Sequence, residues 1–165
     1  MAEQQQKFPT EVIDLPSKGK VYPKDSPLSK GKVEVKYMTT KEEDILTSQN
    51  LLKKGVAIDV LLNSLIVTEG VSADDLIIGD KNAVMVACRI LAYGPEYITE
   101  ITHDNGKTET VTFDLTKLEF KLLPEDVKYA DNLFEFVLPV SQEKIKYKIL
   151  DGRDEKDMSK ELEAL

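Results

Sequence analysis

The sequence predicts an α+β protein: a small helical unit around a buried central helix, packed with antiparallel β-hairpins, with an extended amino-terminal arm and a short carboxy-terminal helix. Three observations carry this. Residues 79–94, GDKNAVMVACRILAYG, are apolar nearly all round a helix, with only Lys81, Asn82 and Arg89 polar after Asp80, and such a helix belongs in an interior. After Pro95 the apolar period changes from helical to two, the spacing of half-buried strands. Pro9, Pro16, Pro23 and Pro27, with Gly19 and Gly31, punctuate the first stretch of chain and stop a helix or a central strand from running through it.

The arm, residues 1–31, contains Phe8, Val12, Ile13, Leu15, Val21 and Tyr22, too much apolar surface for a purely solvated tail. Either it packs across its own domain, or the stretch LPSKGKVYP docks on a partner through backbone and a few anchors. Lys32 to Met38 alternates as a strand, with Val33, Val35 and Tyr37 on one face. Thr40 with Glu43 fits a capping box for a short helix over 41–47. Gly55 interrupts, and residues 56–67 form a second core helix that groups Val60, Leu61, Leu65 and Ile66. Ser72 with Asp75 caps a brief turn over 73–78. Asp80 is expected as N-cap of the central helix and Gly94-Pro95 as its stop, giving a rod roughly 20 Å long.

Residues 97–113 read as a hairpin around Asp104-Asn105-Gly106. A two-residue loop sets Glu100 against Val111 and mixes polar with apolar residues on each face. A three-residue loop with Gly106 left-handed pairs Tyr97 with Phe113 and Thr99 with Val111, the preferred register. Residues 117–122 give a further alternating run, and 133–138 with 144–150 a second pair, in which Ile145, Tyr147 and Ile149 oppose a lysine face. Residues 151–165 form a helix with Met158, Leu162 and Leu165 on one narrow stripe; so short a helix needs a surface to lie on. The expected organisation is therefore an arm, 1–31, a single α+β domain, 32–150, with a helical unit (40–94) and a β-rich part (96–150), and a terminal helix, 151–165.

Acidic residues number 30 against 22 basic ones, for a net charge of -8, and only Arg89 and Arg153 are arginines. That balance argues against nucleic-acid binding, which needs concentrated positive charge and favours the arginine fork. No apolar run approaches the length of a membrane span, and MAEQQQK lacks the apolar core of a signal peptide.

Catalytic, cofactor and metal sites are all expected to be absent. Cys88 lies in the most apolar helix and His103 at a polar hairpin tip, so they form no dyad; one cysteine and one histidine cannot complete a zinc site. The carboxylates of Glu42-Glu43-Asp44 and Asp74-Asp75 sit at helix starts, where the helix dipole favours negative charge. SKGK occurs at 17–20 and again at 29–32, but without the spacing or preceding strand of a phosphate loop. The candidate functional residues are instead partner contacts: Leu15, Pro16, Val21 and Tyr22 of the arm, and Met158, Leu162 and Leu165 of the terminal stripe.

The segments LPSKGKVYP, VEVKYMTTKEEDIL, LLNSLIV, GDKNAVMVACRILAYGPEY and VTFDL, spread over residues 8–122, resemble the T-even-type bacteriophage baseplate hub proteins, also described as baseplate hub assembly chaperones. The resemblance implies a non-enzymatic protein of a contractile tail that acts in baseplate assembly or structure by binding other baseplate or tail proteins. It implies a place in the virion baseplate, or in the host cytoplasm during assembly; an oligomer is compatible with the protruding ends. Where relatives carry a Cys-x-x-Cys pair, this chain has His103-Asp104-Asn105-Gly106, so no zinc clip is carried over. Relatives tend to continue into a further helical region, whereas this sequence runs to Leu165; either the terminal helix packs on a partner or the chain is a shortened form of something longer. The alternative is a generic adaptor domain that binds a peptide or partner strand at an exposed edge.

Overall fold

The structure, a computed structural model, describes residues 8–125, 127–129 and 132–163. Its elements are β1 (Thr10–Asp14), β2 (Lys32–Lys36), α1 (Thr40–Thr47), α2 (Gln49–Lys53), α3 (Ala57–Leu65), α4 (Ile78–Tyr93), β3 (Glu96–Thr102), β4 (Thr108–Asp114), β5 (Phe134–Val137), β6 (Lys144–Tyr147) and α5 (Gly152–Glu163). The mixed class expected from the sequence is observed: among the described residues, helices accompany three antiparallel two-strand ladders, β1 with β2, β3 with β4 and β5 with β6.

The arm folds back on its own body. β1 pairs with β2, setting Ile13 opposite Val33, and the Leu15 amide donates to Gly31 O at 2.8 Å. The two SKGK loops then interlock. A Cβ on Gly19 would stand 2.3 Å from Ser29 O, and one on Gly31 would stand 2.7 Å from the Lys18 carbonyl carbon. Both glycines also have positive φ, +77° and +69°, a conformation that costs little only for glycine.

The core is shared among elements. Leu15 and Leu28 of the arm, Val33 and Val35 of β2, Leu61, Leu62 and Leu65 of α3, Leu76, and Val84 and Cys88 of α4 form one buried cluster. α4 is thus less enclosed than its composition suggests: its buried residues are Asp80, Ala83, Val84 and Cys88, most of its other apolar residues are half-covered, and Tyr93 is exposed. A helix at the rim of a small core meets neighbours on one side, whatever its other faces carry. In α3 the buried stripe is Ala57, Leu61, Leu62 and Leu65. Val60, expected inside, falls on the opposite side of the helix and is exposed.

Helix ends differ from expectation in detail. The α1 capping box is Thr39 with Glu42, one residue earlier than Thr40 with Glu43, because Thr39 is the last residue in the extended conformation. Ser72 with Asp75 forms the expected box over a 3-10 turn, Ala73–Asp75. α4 starts earlier than expected, with Ile77 as N-cap, so Asp80 sits inside the first turn and is not the cap. Gly94 ends the helix with φ +83°. α2 was not expected; it is a single turn between α1 and Gly55.

β3 and β4 adopt the preferred register, with Tyr97 opposite Phe113 and Thr99 opposite Val111, closed by Gly106 at φ +76°. β5 and β6 pair Phe134 with Tyr147 and Phe136 with Ile145. No strand forms over residues 117–122: a 3-10 turn, Leu115–Lys117, is followed by irregular chain. Alternation alone does not make a strand without a neighbour to complete its ladder. None of the residues of β3 to β6 is fully buried.

Candidate functional site

The arm is held to the first turn of α4 by a buried polar junction. Asp80, with no exposed surface, accepts from the Ser17 amide (2.9 Å) and hydroxyl (2.6 Å) and from the Tyr22 hydroxyl (2.7 Å). The Tyr22 oxygen in turn accepts from the Ile77 amide at 3.1 Å, and so satisfies the N-cap amide from outside the helix. Burial, together with the charge and hydrogen bond of Asp80, pushes the Tyr22 phenol well above its ordinary pKa, so it remains a donor. A carboxylate in the first turn also gains from the helix dipole.

A second buried carboxylate ties α1 to β2 and α3. Glu42 is fully buried and accepts from Lys36 Nζ (2.8 Å), the Thr39 amide (3.0 Å) and hydroxyl (2.5 Å), and Ser64 Oγ (2.7 Å). Burial pushes its pKa up, but the donors from Lys36, Thr39 and Ser64 outweigh it and bring the value down to about 2.

α5 is docked through charge. Lys81 of α4 lies 2.8 Å from Asp59 and 2.7 Å from Glu155; Lys156 lies 2.6 Å from Asp74, and Arg153 pairs with Asp75. Gly152 allows close approach, since a Cβ there would stand 2.8 Å from the Asp74 Cα. Lys148 pairs with Asp154 at 2.7 Å, joining the end of β6 to the helix. A cavity of about 670 Å³ lies beside this junction and includes Asp59, Lys81, Glu155 and Lys156, groups already engaged with one another.

Apolar surface faces outward on the ribbons. Tyr97, Ile98 and Phe113 of the first, and Phe136, Ile145 and Tyr147 of the second, are all exposed. The Phe134 and Tyr147 rings stack at 5.3 Å, with Tyr129 edge-on to Phe134 at 5.8 Å. Where the first ribbon leaves α4, a mostly apolar groove of about 490 Å³ opens among Met38, Leu46, Ile58, Met85, Tyr93 and Tyr97. Arg89 braces its edge, donating to Gly94 O (3.2 Å) and lying 4.7 Å from the Tyr93 ring centre.

The structure separates the sequence-derived candidates. Leu15 and Val21 are buried at 2% and 1% exposure, and Pro16 and Tyr22 are half-buried. Met158 and Leu162 stand out at 52% and 70%, and Leu165 lies outside the described residues. Cys88 is buried, and burial pushes its thiol up to about 11; His103 is an exposed residue 3.2 Å from Glu109. The described residues include no group of three or more His, Cys, Asp or Glu able to hold a metal, and no helix long and apolar enough to cross a membrane.

A small interior, with the later apolar side chains turned outward on ribbons and a terminal helix, defines an α+β protein with much of its apolar surface on display. A family model described as T4 bacteriophage base plate protein matches residues 8–164. The chain belongs to that family and is a bacteriophage baseplate protein. The match runs through both ribbons and into α5, beyond residues 8–122. No curated protein and no solved structure gives a significant match.

Proposed function

We propose that this baseplate protein acts in the assembly or structure of the baseplate hub of a contractile tail, through protein-protein contacts and without catalysis. The observation that supports the reading best is the exposure of large apolar side chains on both carboxy-terminal ribbons, Tyr97 and Phe113 on one, Phe136 and Ile145 on the other. Aromatic groups displayed on an otherwise charged surface have the composition of interface centres. Other baseplate or tail proteins are the partners, met in the virion baseplate or in the host cytoplasm during assembly. Met158, Leu162 and Leu165 add direct contacts, while Leu15, Pro16, Val21 and Tyr22 serve from the arm by holding the body in shape. The outer edges of the two-stranded ribbons, which pair with no further strand among the described residues, favour strand addition as one manner of contact, which is also how a generic adaptor would bind.

The experiment is recovery of tail proteins on the tagged protein from phage-infected cells. Tyr97→Glu and Phe136→Glu, each folded by circular dichroism, should lower recovery about tenfold; unchanged recovery with both variants sinks the reading. Cys88→Ala and His103→Ala should leave phage yield intact, and a large loss from either, with folding unaffected, overturns the non-catalytic part.

A further inference from the structure

The amino-terminal loops carry charge opposite to that of the whole molecule. The net charge is -8, yet residues 14–36 hold six lysines against three carboxylates. Two of the lysines are engaged, Lys32 at 3.3 Å from Asp14 and Lys36 at 2.8 Å from Glu42. Lys18 and Lys30 are exposed and, among the described residues, have no ion pair. The interlocked glycines fix both at the rim of a groove of about 490 Å³, whose apolar lining includes Leu15, Pro16, Phe120 and Leu122. Phe120 and Leu122 remain 43% and 55% exposed. The rim also carries Asp14, neutralised by its pair with Lys32, so Lys18 and Lys30 leave it net positive. An apolar floor so rimmed suits an amphipathic segment with acidic flanks.

The same chain carries such a segment. Met158 and Leu162 stand one turn apart on the outer side of α5, while its other side is tied down by Lys81, Asp74 and Asp75. Residues 151–165 hold six carboxylates against three bases, and no α5 residue lines the lysine-rimmed groove. We propose that this groove receives α5 of a second copy of the chain, with Met158 and Leu162 seated on Phe120 and Leu122 and Glu161 facing Lys18 and Lys30. The contact is head-to-tail: each molecule offers a groove to one neighbour and a helix to another, which builds a closed ring or an open chain. It needs only this chain and does not rest on the hub reading, and a second copy of the chain is then one of the partners that Met158 and Leu162 contact.

Sedimentation velocity on the full chain tests it. The average mass should rise with concentration up to about 100 µM, and association should weaken about tenfold between roughly 0.05 and 0.5 M salt. Leu162→Glu and the double change Lys18→Glu/Lys30→Glu should each remain monomeric with wild-type circular dichroism, and Phe120→Ala should weaken association from the groove floor. Mixing the first two variants restores one intact groove and one intact helix, so the mixture should form a 1:1 dimer and nothing larger. A monomeric wild type, association indifferent to both variants, or a mixture that stays monomeric overturns the proposal. So does association that begins only once residues 1–7 are removed, which would make the chain's own start the occupant.

Discussion

Replacing Asp80 with alanine tests the junction that fastens the arm. The carboxylate accepts from three donors, the Ser17 amide, the Ser17 hydroxyl and the Tyr22 hydroxyl, in a site with no exposed surface. A hydrogen bond to a charged group contributes about 1.5–3 kcal/mol, and a buried donor left unmade costs about 1–3 kcal/mol. The effects within one network do not add, so the expected loss is about 3–5 kcal/mol, a large part of the 5–15 kcal/mol typical of a domain. Tyr22→Phe should cost less, about 1–2 kcal/mol, because Ser17 still holds Asp80 and only the Ile77 amide loses its acceptor. In urea, with a slope of about 2 kcal/mol per molar, Asp80→Ala should lower the midpoint by about 2 M at unchanged slope. Trypsin should also cut at Lys18, Lys20 and Lys24 sooner than in the parent, since the arm would open locally. An Asp80→Ala loss below about 1 kcal/mol, or a Tyr22→Phe loss equal to it, would refute the assignment of Asp80 as the centre of the network.

Further outcomes follow from the other buried groups. Glu42→Gln should destabilise by about 3 kcal/mol at neutral pH, as breaking a buried pair does. Because the folded-state pKa of Glu42 is lowered from 4.5 to about 2, the stability it contributes is complete above about 4.5 and fades as pH falls towards 2. The gap between parent and variant in urea midpoint should therefore close across that window, and a gap independent of pH would contradict the burial network. Gly152→Ala should detach α5, given the 2.8 Å approach to the Asp74 Cα, and appear as lost helical circular dichroism. Cys88, held near pKa 11 by burial, should react with a thiol reagent only as the protein unfolds; rapid labelling of the folded protein would place α4 differently.

The legible parts of the fold were those written in local pattern. The β3–β4 register followed from keeping Tyr97 with Phe113 and from the left-handed need at Gly106, both properties of a few adjacent residues. The Gly94 stop and the Ser72–Asp75 box are of the same kind. What was not legible depends on partners distant in sequence. Asp80 looks like a cap when only its own helix is considered; its acceptors' donors come from Ser17 and Tyr22, whose place nothing local to α4 announces. Glu42 looked like one of several helix-start carboxylates, and the Thr39 cap together with Lys36 and Ser64 converging on it distinguishes it from Glu43. Residues 117–122 alternate like a strand but have no neighbour to pair with, and Val60 belongs to an apolar run whose outer side is left uncovered. For the site, the narrow stripe of Met158 and Leu162 was readable as apolar from its spacing, but the sequence placed it against a surface, whereas both side chains stand exposed. The burial of Leu15 and Val21 was not, because a proline-rich arm looks alike whether it meets its own core or another chain.

The central claim is that the arm is an internal fastening and the carboxy-terminal ribbons are the contact surface. Hydrogen exchange measured on the isolated protein, and again after it joins baseplate proteins from infected cells, tests this most directly. The Ser17 amide and its neighbours should be protected already in isolation, and the gain on assembly should fall on β3–β4 and β5–β6. An arm that exchanges rapidly alone and becomes protected only in the complex, with the ribbons unchanged, would contradict the account.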